Sequence, residues 1–544
     1  MLILQNILFF NFLYFIGRGF FILLNTFVLK KDYKSFFGLK KELYYVLFSI
    51  FIIGNLSFLL NFFIPLQNNI ILFLVSIFLI FNFQKRVYIK AKKDIIIQNI
   101  LLPGILGFSS YDIGFHYDAG LYHLNNQNWI VNEKIIFGLS NIYPPFGFSS
   151  LNEYILSSFW IGNNFMYLHF LNLAFLSLFF AFLYNFIFVS EIKFYKYGAI
   201  FVILYGFLDN FGLNGGRNGF LSIQGVGKVD NNFSIIFFLS SIFCLYIIKS
   251  KDISKTDFII INFFVLFLIQ LKVYGVIIIF LYLFIFFRFI KEQKFLILFK
   301  STIFPLFIGV LWLLKNVSIS GCFFYPVKIT CFKNFSWYSK DIDKLIIDTR
   351  DFHNAYNIEK NFFGWFRDFF IDGKYAYIYQ NYLISFLIIL FLYKFLFTTK
   401  NKKGVDSLFL SFIVLSTFTY IFTSPAPRFT SGLMIFSVFY LGSKVQNLNI
   451  VDSNKYIGLL FSFIFFSTLV FTPRLEAYFT GLASLNSNKV LEVPIIDYKK
   501  SNGWGVNPSY GDQCWINLEC TNENINLKSK NISGYKILIR EINR

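Results

Sequence analysis

The sequence predicts an all-α, polytopic integral membrane protein of about fourteen transmembrane helices joined by large external loops. Three observations carry that prediction. The 544 residues are 56% hydrophobic and only 14% charged, whereas a soluble domain is nearer a quarter charged. The apolar runs are helix-length rather than strand-length, and a bilayer admits only helices or closed barrels. Basic residues recur in short loops between these runs, in an alternation that puts them on one side.

At about 1.5 Å of rise per residue, the first span covers Leu4–Phe27, with Arg18 inside it. It is too long and too poor in early basic residues to read as a cleaved signal. A basic loop follows, Lys30 to Lys41, then spans Tyr44–Phe63 and Ile70–Phe83 and a second basic loop from Lys85 to Lys93. A short span near Ile95–Phe108 leads outward. Phe165–Val189 returns to Glu191, Lys193 and Lys196, and Gly198–Leu208 leads out again to a glycine-rich loop, Asp209–Asn232. Phe233–Ile248 returns to Lys249, Lys251 and Lys255. Phe258–Leu271 and Val273–Phe287 form a hairpin with Lys272 at its outer tip, ending at Arg288, Lys291 and Lys294. Phe295–Leu314 leads to a long outer loop. Tyr382–Phe397 reaches Lys400, Lys402 and Lys403, Leu408–Phe422 exits, Phe429–Leu441 reaches Lys444 and Lys455, and Ile457–Phe471 exports the tail. The resulting units are 1–94, extra N-terminal helices; 95–471, a core with external loops 109–164 and 315–380; and 472–544, an external cap.

A net charge of +20 would suggest nucleic acid in a soluble protein. Here much of it lies in the connecting loops, so it sets topology and implies membrane lipid, not nucleic acid, as the partner. Of five cysteines, Cys244 lies in an apolar run, whereas Cys322 with Cys331 and Cys514 with Cys520 form two close pairs on the external side. They are expected as disulfides in an oxidising compartment. Gly225-Val226-Gly227-Lys228 is not a nucleotide loop, because Ser222 stands where the first glycine belongs and Val229 where Ser or Thr should bind magnesium.

One polar island, Tyr111–Asn152, interrupts the apolar pattern. Two neighbouring helices need only a few residues between them, and long loops on rigid scaffolds commonly carry function. A helix starting near Asp118 would put Asp118, Tyr122, Asn125 and Trp129 on one face, preceded by His116 and with His123 on a neighbouring face. Asp118 is a helix N-cap on the plainest reading. On the sharper one it is a general base or the ligand of a divalent cation, with His123 as its assistant. Arg217, Lys228, Lys272, Lys315 and Arg428 fall in or beside outer loops, where the positive-inside bias disfavours them. Such cations suit an anionic headgroup, and Asp230 is a second candidate acid or a helix cap. The aromatic run ending at Trp337 suits a sugar or prenyl wall, or an interfacial belt.

The run Tyr117-Asp118-Ala119-Gly120-Leu121-Tyr122-His123, with Trp129, Gly138-Leu139-Ser140-Asn141 and Phe146-Gly147-Phe148, resembles a family of uncharacterised bacterial polytopic membrane proteins. Ser320-Gly321 to Tyr325-Pro326, Ala426-Pro427-Arg428-Phe429 and Gly511-Asp512-Gln513-Cys514-Trp515 fit it too. That family is distantly similar to the C-fold (GT-C-like) glycosyltransferases, such as protein mannosyltransferases and the aminoarabinose transferases of lipid A. The resemblance implies a bundle whose first large external loop bears an essential acid, matched by Asp118, with Arg428 as a phosphate contact. Those enzymes often carry adjacent acids, whereas here Asp112 lies six residues from Asp118. The implied function is transfer of a sugar from a polyprenyl-phosphate donor at the external face of a bacterial inner membrane. Asp118 and His123 would act on the acceptor, Tyr122, Trp129 and Asp230 would line the site, and Arg217, Lys228, Lys272 and Arg428 would hold the leaving phosphate. The alternative is a transporter or flippase for a lipid-linked glycan, and a ligase or polymerase of surface polysaccharide would share the donor chemistry.

Overall fold

The computed structural model describes all residues except 27–34, 85–92, 211–219, 251–253, 293–294, 397–402, 446–456, 463–464, 466–488, 496–497, 501–505, 509–511, 519, 522–526 and 541–544. The chain is mostly helical, with three short two-stranded sheets among the described residues. Seven helices there are long and apolar enough to cross a membrane: Leu2–Leu24, Lys41–Asn61, Met166–Val189, Asp230–Lys249, Val273–Lys291, Leu298–Ser320 and Ala376–Lys394. Ile70–Phe83 and Ser407–Thr423 are shorter apolar helices. The expected short span near residue 95 is a broken run. It passes from α-helix at Lys93–Ile96 through a π-turn, a second α-turn containing Pro103 and a 3-10 turn ending at Tyr111. The last expected span falls largely outside the described residues.

Met166–Tyr184 and Asp230–Lys249 form the centre and bury nearly every side chain along their length. Beyond the polar first turn of the second, both carry apolar residues on every side, which is how a helix reads when neighbours surround it. The perimeter helices differ. Phe284 and Phe287, Leu306 and Phe307, and Leu387 and Phe391 all point outward and stay exposed.

The contacts separate into two ends. At one, a tight hairpin pairs Ser35–Phe36 with Leu39–Lys40. There the Phe37 amide donates to Asp257 Oδ1 at 2.8 Å, the Tyr195 hydroxyl donates to the Phe37 carbonyl at 2.9 Å, and Lys40 meets Asp94 at 2.5 Å. Arg288 donates to the Ile247 carbonyl at 3.1 Å. These are segments that the charge pattern assigns to one side. The polar island, the Lys272 tip, the start of the Pro427–Ser443 helix and the tail gather at the other end.

The tail is knitted to the island. Its hairpin pairs Leu527–Ile532 with Tyr535–Arg540, and Ile537 bridges to Phe137. Cys514 is bonded to Cys520, and Cys322 to Cys331. Trp515 lies against Gly120, where a Cβ would meet the indole at 2.8 Å, and the Trp515 amide donates to the Gly120 carbonyl at 2.8 Å.

Candidate functional site

The site begins with a backbone pairing. Phe115 and Val226 form a parallel bridge, with the His116 amide donating to the Val226 carbonyl at 2.8 Å and the Val226 amide to the Gly114 carbonyl at 3.0 Å. Gly227 makes the approach possible. Its φ is +87°, and a Cβ there would come within 2.4 Å of the Ala119 Cβ, so a side chain is excluded on two counts. The glycines of the Gly225–Lys228 run thus serve close contact, and they set Lys228 beside Asp118.

Asp118 stands at the start of a π-turn, Ala119–His123, and its side chain makes no capping bond. The carboxylate instead accepts from Lys228 Nζ, and its Oδ2 lies 3.7 Å from Arg428. The π-turn holds one more residue per turn than an α-helix. It shifts the residues beyond it around the helix axis. Trp129 packs in an apolar cluster with Ile135, Ile136 and Leu538 of the tail, against which Tyr122 also packs, and Asn125 donates to the Asn517 carbonyl. Tyr122 stays near the acids. Burial, and then Asp118 and Asp230, hold its phenolic proton well above the usual value.

Asp230 opens the first turn of its helix without acting as the cap, which is Val229. It is ion-paired with Lys272, lies 3.4 Å from Lys228 and 3.9 Å from Arg428. Lys272 reaches it from the junction of two helices, with its ammonium 4.0 Å from the centre of the Phe429 ring. Arg428 sits just inside the N-terminus of the Pro427–Ser443 helix, where the helix dipole opposes a cation. Its Nε is buried and without a hydrogen-bond partner among the described residues. Lys228, Lys272 and Arg428 therefore face Asp118 and Asp230, leaving one positive charge in excess.

Two histidines complete the cluster. His116 Nδ1 accepts from the Asp118 amide at 3.1 Å, which places the ring proton on Nε2, free to donate to an anion. Burial, and then Lys228, push this imidazole down to about 4. His353 Nδ1 lies 2.9 Å from the Thr349 carbonyl and must donate to it, so Nε2 is a bare acceptor facing Arg428 at 3.4 Å. Ser424 also contacts His353 Nδ1, at 2.9 Å. Burial and then Arg428 lower His353 to about 4. Burial alone would raise the Asp118 carboxyl, but Lys228, His116 and His123 together outweigh it and the proton affinity ends below the usual carboxylate value.

Asp118, Lys228, Asp230, Lys272 and Arg428 thus come together, with Tyr122 beside them. His123 faces elsewhere. It is buried and paired through Nδ1 with Glu153 Oε1 at 2.5 Å, while Gln127 donates to the other Glu153 oxygen at 2.8 Å. Lys315 is buried under the Trp312 ring and donates to Ser149. Arg217 lies outside the described residues. The donor set around Asp118 does not fit a divalent cation: ammonium and guanidinium groups flank the carboxylate. Among the described residues no three His, Cys, Asp or Glu side chains are placed to share a metal.

The fold and site together define a helical bundle carrying a half-buried, cation-rich polar cluster at one end. The chain belongs to the family described as a domain of unknown function, DUF8201, which matches residues 1–435. That span contains every member of the cluster. No curated protein and no solved structure matches the chain.

Proposed function

We propose that this protein is an integral membrane glycosyltransferase that takes a sugar from a polyprenyl-phosphate donor and passes it to an acceptor hydroxyl at the outer membrane face. One observation carries the reading: Lys228, Lys272 and Arg428 converge on Asp118 and Asp230 with positive charge in excess. The exposed apolar faces of the perimeter helices support burial in lipid. The meeting of Lys40, Asp94, Asp257 and Arg288, which flank the basic loops in sequence, at the opposite end supports an outward-facing site.

In this reaction the bond between the sugar C1 and the phosphate oxygen breaks, and its electron pair stays on the phosphate. The acceptor oxygen bonds to C1 and its proton leaves. Negative charge grows on the phosphate, so cations already held in place stabilise the transition state more than the ground state. The Arg428 guanidinium suits bidentate contact, Lys228 and Lys272 act as point charges, and the Nε2–H of His116 donates. Asp118 is a weak base while Lys228 and Arg428 grip it. Once the donor phosphate draws those cations toward itself, the carboxylate regains proton affinity and takes the acceptor proton.

The test is sugar transfer by purified protein in lipid nanodiscs, using a panel of labelled polyprenyl-phosphate sugars. Native protein is expected to convert one of them. Asp118→Asn and Arg428→Gln should lose at least a hundredfold in rate while still folding and unfolding in one cooperative transition, at a lowered midpoint because each removes a partner from the buried charge network. Undiminished transfer by a folded Asp118→Asn protein would remove the role given to that residue. Movement of intact donor between leaflets without product would favour the transporter.

A further inference from the structure

Between the Cys322–Cys331 loop and the helix Ala376–Leu396 lie two short helices, Ile342–Phe352 and Phe362–Phe370. At about 100° per residue, Trp365, Phe369, Phe362, Phe366, Phe370 and Phe363 of the second helix fill one continuous arc. Gly364, Arg367 and Asp368 fill the rest. Only one edge of the arc is docked. Trp365 and Phe369 are buried, whereas Phe363 is 80% exposed and Phe366 43%. The helix is held firmly: Trp365 Nε1 donates to the Asn354 carbonyl at 2.9 Å, the Tyr356 amide to the Ile421 carbonyl at 2.9 Å, and Phe369 packs 5.1 Å from the Tyr379 ring.

The open surface does not stop at this helix. Ile371 and Tyr377 are exposed, and Leu383, Leu387 and Phe391 continue along the next apolar helix. Lys374 lays its ammonium 4.3 Å from the centre of the Phe352 ring, a cation lodged on apolar surface with its head free to reach polar groups. An exposed aromatic arc packed beside a membrane-length helix that is itself exposed at Leu383, Leu387 and Phe391, flanked by a cation of this kind, is the pattern of a helix lying in a bilayer interface.

We propose that residues 342–377 form a lipid-surface anchor, with Phe362, Phe363, Phe366 and Ile371 seated between the headgroups and the acyl chains of the outer leaflet. The anchor deepens the membrane reading above and rests on it. The same segment carries His353 to Arg428, so it places the mouth of the cation cluster at the lipid surface. A donor can then keep its hydrocarbon chain in the bilayer while its phosphate reaches Arg428.

The test uses full-length protein in phosphatidylcholine and phosphatidylglycerol bilayers, with a nitroxide on single introduced thiols at Phe363→Cys, Phe366→Cys, Arg367→Cys and Phe391→Cys. The native cysteines are disulfide-bonded or, for Cys244, buried. Labels at 363 and 366 are expected to collide several-fold more with oxygen, relative to a nickel chelate, than the label at 367. Equal nickel access at all three positions overturns the anchor. So does a label at 363 or 366 shielded from both reagents, which would mean that protein covers the arc. The label at Phe391 separates the two readings. If it meets oxygen while 363 and 366 meet nickel, only the anchor fails; if it too meets nickel, the membrane reading fails with it.

Discussion

Replacing Asp230 by asparagine should expose how much repulsion the cluster contains. Asp230 is 8% exposed at its side chain, is ion-paired with Lys272, and lies 3.4 Å from Lys228 and 3.9 Å from Arg428. With it neutral, three cations face Asp118 alone. At about 4 Å and an effective dielectric near 20, each contact is worth ~4 kcal/mol before desolvation is subtracted. Removing one partner of a buried pair costs about 3–5 kcal/mol in measured cases, and that is the expected loss for Asp230→Asn. Restoring the charge count with Asp230→Asn and Lys272→Met together should recover at least ~2 kcal/mol, a coupling typical of groups in one network. Denaturant unfolding of the four proteins in detergent gives the cycle. Inorganic pyrophosphate supplies a second reading, because Asp230→Asn leaves a larger positive excess and should be stabilised more by the anion than native protein is. A single variant that costs under ~1 kcal/mol, with additive behaviour in the double, would refute the network as a source of stored repulsion.

The remaining predictions concern pH, backbone and packing. The His353 imidazole sits near 4 in the folded state and near 6.5 unfolded, so the unfolded chain binds the proton first. Stability must fall as pH drops from about 6.5 toward 4, by ~3 kcal/mol at most for this buried ring, and His353→Gln should flatten the decline seen in thermal melts. His116 acts in the same direction, while Asp118, with its lowered affinity, loses its contribution only below the ordinary carboxylate range. Gly227→Ala meets both a positive φ and a 2.4 Å approach to Ala119, and should cost at least ~2 kcal/mol and weaken anion binding by moving Lys228. Trp515→Ala should destabilise by about 3–5 kcal/mol, read as faster protease cleavage of the tail. Lys315→Met should destabilise by about 1–3 kcal/mol in a melt, because it removes the buried donor to the Ser149 carbonyl and hydroxyl.

Parts of the site could be read from residue type and side alone. Asp118 stood out as an acid in a polar loop between apolar runs, and Lys228, Lys272 and Arg428 as cations outside the loops where the other basic residues recur. Each signal is local. His353 carries none: it lies in a long loop, and only its contact with Ser424 and Arg428 gives it a role. Glu153 was hidden in the same way, inside the apolar turn Leu151–Ser157, with its partner His123 on another element. The π-turn after Asp118 could not be read from spacing, because one added residue in a single turn leaves no mark in residue type. The hairpin at 527–540 did leave a trace. Ser533-Gly534 takes positive φ at both turn positions, the two-residue turn that matches strand twist, and Lys536-Ile537-Leu538-Ile539 comes next with strand-forming residues.

The seat of Trp515 on Gly120 has a consequence for how the molecule is made. Gln513 donates to the Tyr117 carbonyl across 396 positions of chain. At about 5–20 residues per second, a ribosome that has delivered Tyr117 needs roughly 20 to 80 seconds to supply its partner. Through that interval the nascent island has one bare flank, and the half-finished polar lobe stays open until the segment around Trp515 arrives to close it.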